Sequence, residues 1–184
     1  NSGTTALLTA LVGLGIGPGD EVIVPGFTFV ASMSSVVYAG AVPVLAEVDR
    51  TLNLDPEDVT KKIKSRTKAI MAVHMMGNPA RLDELKAIAT EHGLSLVEDC
   101  AQAPGASING KQVGSFGDFG CFSFHSAKNM TTLGEGGMLA VRFNEEAALV
   151  PGLRNNGITP FTADRERYWL PAMTNVDADI IGIW

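Results

Sequence analysis

The stretch Cys121-Phe122-Ser123-Phe124-His125-Ser126-Ala127-Lys128-Asn129-Met130-Thr131-Thr132-Leu133-Gly134-Glu135-Gly136-Gly137 leads from an apolar strand pattern, through a single lysine, into a glycine-rich turn. Upstream, Val97-Glu98-Asp99-Cys100-Ala101-Gln102 puts an acid at the end of another apolar run. Around these two stretches, short β-branched or apolar runs alternate with helical periods, the pattern of an α/β fold with a mainly parallel sheet and helices on both faces. A helix is expected from Thr4, with Leu7, Leu8, Leu11 and Leu14 at helical spacing and Gly15-Ile16-Gly17-Pro18-Gly19 ending it. Strands are expected over 21–25, 41–48, 69–74, 94–99, 119–124 and 137–142. Helices are expected over 28–38, from Asp55-Pro56-Glu57 with Asp55 as N-cap, over 81–92 closed by Gly93, and over 144–150. Beyond Pro151 the polar stretch reads as a loop or domain exit, so 151–184 receives no element.

The chain has 184 residues, 46% of them hydrophobic, enough for one globular unit with a sizeable core. Its net charge of −6, without a dense run of lysine or arginine, argues against a nucleic-acid partner. Cys100 and Cys121 lie in apolar strand patterns without CxxC spacing and read as buried thiols in a reducing compartment. Apolar runs stay short of the ~18 residues of a membrane span, which makes the cytoplasm the expected location. No metal is expected, because His74, His92 and His125 are scattered and HExxH is missing. Asn1-Ser2-Gly3-Thr4-Thr5 opens straight into a helix and the chain stops in an apolar tail. The expectation is therefore an incomplete large domain over 1–184, lacking an N-terminal arm and a C-terminal small domain.

Ligand sites of open α/β sheets collect at the carboxyl ends of strands, where Asp99 falls. A lone strand-end aspartate serves equally well to cap the following turn. Paired with Lys128 it has a more specific use. A pyridoxal phosphate cofactor needs a lysine for its Schiff base and an acid that keeps its ring nitrogen protonated. Ser2-Gly3-Thr4-Thr5 at a helix start offers backbone N–H groups and a positive dipole end suited to phosphate, although the same residues make an ordinary N-cap. Ser123 offers a hydroxyl to the phosphate or to a neighbouring backbone group. Phe29 supplies a ring face or fills the core. Gly13-Leu14-Gly15-Ile16-Gly17 looks like a dinucleotide fingerprint, but it stands at a helix end and reads as a C-cap.

Together, Ser2-Gly3-Thr4-Thr5-Ala6-Leu7, Pro18 through Pro25 with Phe27-Thr28-Phe29, Glu98-Asp99-Cys100-Ala101-Gln102-Ala103 and Ser123 through Gly137 resemble the DegT/DnrJ/EryC1/StrS family of sugar aminotransferases. The resemblance covers the chain to about Arg142. It implies the large domain of a fold type I pyridoxal phosphate enzyme, with a seven-stranded sheet, and a homodimer whose active sites lie at the subunit boundary. By motif it implies Lys128 as Schiff-base lysine and proton shuttle, and Asp99 as partner of the ring nitrogen. It further implies Gln102 near the ring hydroxyl, Phe29 stacked on the ring, and Gly3, Thr4, Thr5 and Ser123 around the phosphate. His125 belongs to the motif without an assigned step. The implied reaction moves an amino group from glutamate or glutamine to a keto-sugar, nucleotide-linked, in amino-sugar biosynthesis. The alternatives are a non-catalytic relative that binds a ligand in the same pocket and a sugar dehydratase. Dehydratases of the family replace the lysine with histidine, so Lys128 speaks against the second.

Overall fold

The computed structural model describes residues 1–154. Six strands form one sheet in the order β2-β1-β3-β4-β7-β8. They are β1 Glu21–Pro25, β2 Val42–Ala46, β3 Thr67–Val73, β4 Ser95–Asp99, β7 Phe119–Ser123 and β8 Gly137–Val141, and a small hairpin pairs β5 Ser107–Ile108 with β6 Lys111–Gln112. Pairing is parallel from β2 to β7, and β8 runs antiparallel to β7. Among the described residues the α-helices are α1 Gly3–Gly13, α2 Ala31–Tyr38, α3 Pro56–Lys62, α4 Leu82–His92 and α5 Asn144–Arg154.

Alternation along the strands distributes the apolar residues between two cores. Val22, Val24, Ala69, Met71, Val97, Phe119 and Cys121 meet α1, α2 and Leu153 of α5 on one face. Ile23, Ile70, Ala72, Leu96 and Cys100 meet Val59 of α3 and Leu82, Leu85 and Ala89 of α4 on the other. Both faces are covered, so the buried strands read as continuous apolar runs rather than as alternating ones.

Local chemistry sets the ends. Ser2 caps α1 through a reciprocal pair in which its Oγ accepts from the Thr5 N–H at 3.1 Å and Thr5 Oγ1 accepts from the Ser2 N–H at 3.0 Å. Asp55 caps α3 with Pro56 at its first position, and Gly93 closes α4 in the left-handed conformation at φ 64°. Two expectations need correction. The helix placed over 28–38 begins only at Ala31, because residues 26–30 form the turn that leaves β1. The helix ended at Val150 continues through Pro151 to Arg154; the rest of the presumed exit, 155–184, lies outside the described residues. The β5–β6 hairpin was not expected, although Asn109-Gly110, at φ 51° and 80°, is the usual two-residue turn for one.

The most consequential packing is at the end of β4, where neighbouring acids point to opposite faces. Glu98, fully buried, accepts N–H groups from Gly114 at 2.7 Å, Phe116 at 2.7 Å and Gly117 at 2.6 Å, and the Nε2 of His74 lies 3.1 Å away. His74 Nδ1 accepts the Ala80 N–H at 3.0 Å, so the ring proton sits on Nε2 and is donated to Glu98. The 113–117 turn can reach this carboxylate because Gly117 has no Cβ; one there would overlap the Leu96 carbonyl oxygen. His74, Glu98 and Cys100 bring potential metal-ligating atoms within 4.8 Å of one another, but hydrogen bonds already occupy both His74 nitrogens and both Glu98 oxygens.

Burial alone would favour protonated Glu98, but the His74 and backbone N–H bonds overcome it and hold the carboxyl below its ordinary value. The stability it contributes is complete above the unfolded carboxyl value of about 4.3 and is lost as pH falls through the lower folded value. Glu98→Gln is expected to cost about 3 kcal/mol at pH 7 and to flatten the acid dependence of the urea midpoint between about pH 5 and 3. An unchanged acid slope would contradict this role. Burial likewise pushes the thiols of Cys100 and Cys121 up, and they lie in different cores on opposite faces of the sheet. Neither should react with iodoacetamide in the folded protein and both should react in urea, as read by intact mass. Rapid native labelling would show that these strands open.

Candidate active site

At the carboxyl end of the sheet, on the α1/α2 side, a cavity of about 400 Å³ collects residues from several separate segments. The start of α1 supplies Ser2, Gly3 and Thr4; the turn before α2 supplies Thr28 and Phe29; β4 and the chain after it supply Asp99 and Gln102; β7 and its loop supply Ser123, His125 and Lys128. Of the residues singled out from sequence, only Thr5 is absent from this lining.

Asp99 forms the buried wall. Its Oδ2 accepts the Ser32 hydroxyl at 2.8 Å and its Oδ1 accepts the Ala101 N–H at 3.1 Å. Each oxygen keeps a lone pair, and the residue lines the cavity while only 6% exposed. Burial pushes its carboxyl up, against the pull of the Ala101 and Ser32 bonds and of the Lys128 charge. A further donor from the cavity side would favour its ionised form.

Lys128 enters from the loop joining β7 to β8. That loop is folded back on itself: Phe124 N–H donates to Gly136 O at 2.8 Å, Thr132 N–H to Phe124 O at 3.0 Å and Lys128 N–H to His125 O at 2.9 Å. Lys128 Nζ stands 5.6 Å from the ring centroid of Phe29, which is 62% exposed and so does not fill the core. His125 Nδ1 accepts the Ala127 N–H, and its Nε2 lies 3.6 Å from Glu135 Oε1, which also lines the cavity.

The helix start and the strand end are pressed together. A Cβ on Gly3 would lie 2.6 Å from Ser123 Cβ, so glycine is what lets α1 present its first turn beside Ser123. The Ala6 N–H is satisfied by Ser2 O and the Thr5 N–H by Ser2 Oγ; among the described residues, those of Gly3 and Thr4 have no partner. Thr5 is therefore the exception among the phosphate candidates. Both its N–H and its hydroxyl belong to the cap, and its side chain lines a separate groove along β8 and α5. Gln102 lines the cavity with its amide already committed: Oε1 accepts the Met76 N–H at 3.0 Å and Nε2 approaches Met75 Sδ at 3.4 Å.

Sequence reasoning passed over Ser32 and Thr28, whose hydroxyls stand 3.0 Å apart behind Asp99. Their i, i+4 spacing across the start of α2 was the available signal. It also passed over Glu135, which nothing but proximity to His125 marks.

The donor set suits pyridoxal phosphate. A ring with an N–H would satisfy Asp99, Phe29 offers a face, Lys128 offers an amine, and the Gly3 and Thr4 N–H groups beside Ser123 offer an anion cradle at a helix N-terminus.

Comparison with known proteins gives the chain's family. The family model described as the DegT/DnrJ/EryC1/StrS aminotransferase family matches residues 1–179. The UDP-N-acetyl-3-dehydro-alpha-D-glucosamine 3-aminotransferase of Acidithiobacillus ferrooxidans is 52% identical over 157 residues, 85% of this chain and 42% of that protein. The GDP-perosamine synthase of Caulobacter vibrioides is 48% identical over 187 residues, 98% of this chain and 49% of that protein. The structure of NtdA from Bacillus subtilis with bound cofactor PMP has a TM-score of 0.83 at 29% identity, covering 90% of this chain and 38% of that one. The chain thus spans less than half the length of these relatives. With its fold, its ordered motifs and this match in agreement, the chain belongs to the DegT/DnrJ/EryC1/StrS aminotransferase family.

Proposed function

We propose that the full-length protein is a pyridoxal phosphate-dependent aminotransferase of amino-sugar biosynthesis, moving an amino group from glutamate or glutamine to a nucleotide-linked keto-sugar. The observation that carries this reading is the buried Asp99, with one donor on each oxygen, in the same cavity as Lys128. Its relatives support the substrate class, since two of them are named for reactions of nucleotide-linked sugars. A cytoplasmic homodimer with a shared active site is part of the same proposal. Among the described residues no helix is long and apolar enough to cross a membrane, which accords with that location.

When bound, pyridoxal phosphate supplies an aldehyde that takes up amines and a ring that accepts electrons from the substrate carbon. Asp99 answers the ring nitrogen, because its free lone pairs face the cavity and a buried carboxylate gains most from an N–H donor. Gly3 and Thr4 receive the phosphate on backbone N–H groups at the positive end of α1, with the Ser123 hydroxyl beside them. Phe29 covers one ring face, and its exposure leaves it free to do so. Lys128 holds and moves the proton at Nζ, on a loop held by its own backbone hydrogen bonds. Gln102 keeps its place at the cavity wall through its bond to Met76.

The test is reconstitution of the full-length protein with pyridoxal phosphate. A visible absorption band and conversion of a keto-sugar to a product of amino-sugar mass, with glutamate or glutamine consumed, are expected. Lys128→Ala should change the band and lower amine transfer by at least about a hundredfold. A band untouched by the substitution would refute the role of Lys128. Loss of water from the sugar without donor consumption would replace transfer by elimination.

A further inference from the structure

Behind Asp99, two hydroxyl side chains are arranged in series. Ser32 is wholly buried on α2, and its Oγ lies 2.8 Å from Asp99 Oδ2 and 3.0 Å from Thr28 Oγ1. An ionised carboxylate can only accept, so the Ser32 proton points at Oδ2. The Ser32 lone pairs are then left for the Thr28 hydroxyl, and the donors run one way, Thr28 to Ser32 to Asp99. Thr28 sits at the rim of the same cavity, and Ser32 one turn deeper. The other carboxylate oxygen is held from the opposite direction by the Ala101 N–H.

We infer that the Thr28–Ser32 pair is a positioning device for Asp99, which fixes the carboxylate plane from behind and leaves its open lone pairs aimed at the ring nitrogen of bound cofactor. The inference rests on the proposed pyridoxal phosphate reading and adds to it Ser32, which touches Asp99, and Thr28, which acts on Asp99 through Ser32. A carboxylate clamped at one oxygen only by Ala101 would rotate about its Cβ–Cγ bond; the second clamp from α2 removes that freedom. The device also tilts the charge balance. Apart from Lys128 on the β7–β8 loop, the titratable groups near Asp99 are His74 at the end of β3, the adjacent Glu98, and the thiols of Cys100 and Cys121. Against burial, the two fixed donors and Lys128 favour the ionised form.

The experiment measures the dissociation constant of pyridoxal phosphate for the full-length protein across pH, for the wild type and for Ser32→Ala, Thr28→Val and Thr28→Ser. Ser32→Ala should weaken binding roughly ten- to a hundredfold. It should also move the acid limb of the binding profile to higher pH, because a carboxylate with one donor fewer takes up its proton sooner. Thr28→Val should shift the profile the same way by less, and Thr28→Ser should restore it. In an Asp99→Asn background, Ser32→Ala should add little, the mark of coupling through that residue. A Ser32→Ala or Thr28→Val protein that binds with the wild-type constant and profile would overturn the inference and leave the cofactor reading intact. A wild type that does not bind pyridoxal phosphate would overturn both. If Ser32→Ala does not fold, the Thr28 pair decides alone.

Discussion

The end of β4 carries two adjacent carboxylates that the strand's alternation sends to opposite faces, and the site depends on their being treated differently. Glu98 is saturated. Three backbone N–H groups and a neutral His74 consume its lone pairs, and the charge goes into holding the 113–117 turn and the end of β3 against the sheet. Asp99 is left with spare lone pairs facing an open cavity. One carboxylate makes the strand end rigid, and the other uses that rigidity to present a buried charge to a ligand.

The remaining parts of the site follow from close approaches around that strand end. Pairing with β7 brings the Cys121 carbonyl to the Cys100 N–H at 2.8 Å, so the chain that leads to Lys128 leaves the sheet alongside Asp99. α1 packs on β7, and the missing side chain of Gly3 lets its first turn touch Ser123. Gly137 does the same for the returning strand, since a Cβ there would overlap the Ser2 carbonyl. The first turn of α1, Asp99 and Lys128 therefore share one cavity because the backbone segments that carry them pack closely.

Much of this was legible from the residues. Strand β1 was read to its ends, and the Asp55-Pro56 start and Gly93 stop of the α3 and α4 helices followed from capping chemistry that acts within a few residues. The grouping of Asp99, Lys128, Phe29, Gln102, Ser123, Gly3 and Thr4 was drawn from ordered motifs, and the fold brings those side chains to one cavity. What sequence did not show depends on contacts between distant segments. Nothing local tells that Thr5 spends its N–H in the cap, that Ser32 reaches a residue 67 positions away, or that Glu98 rather than its neighbour is the structural acid. The α5 helix was ended early because Pro151 lies inside it, and proline usually ends a helix.

The central claim is that Asp99 is the acid that keeps the cofactor ring nitrogen protonated. It is tested most directly by the nitrogen-15 chemical shift of ring-labelled pyridoxal phosphate bound to the full-length protein. A protonated-nitrogen shift in the wild type that moves to the neutral-ring value in Asp99→Asn is the predicted result. A neutral-ring shift in the wild type, or a protonated one that survives Asp99→Asn, would contradict it.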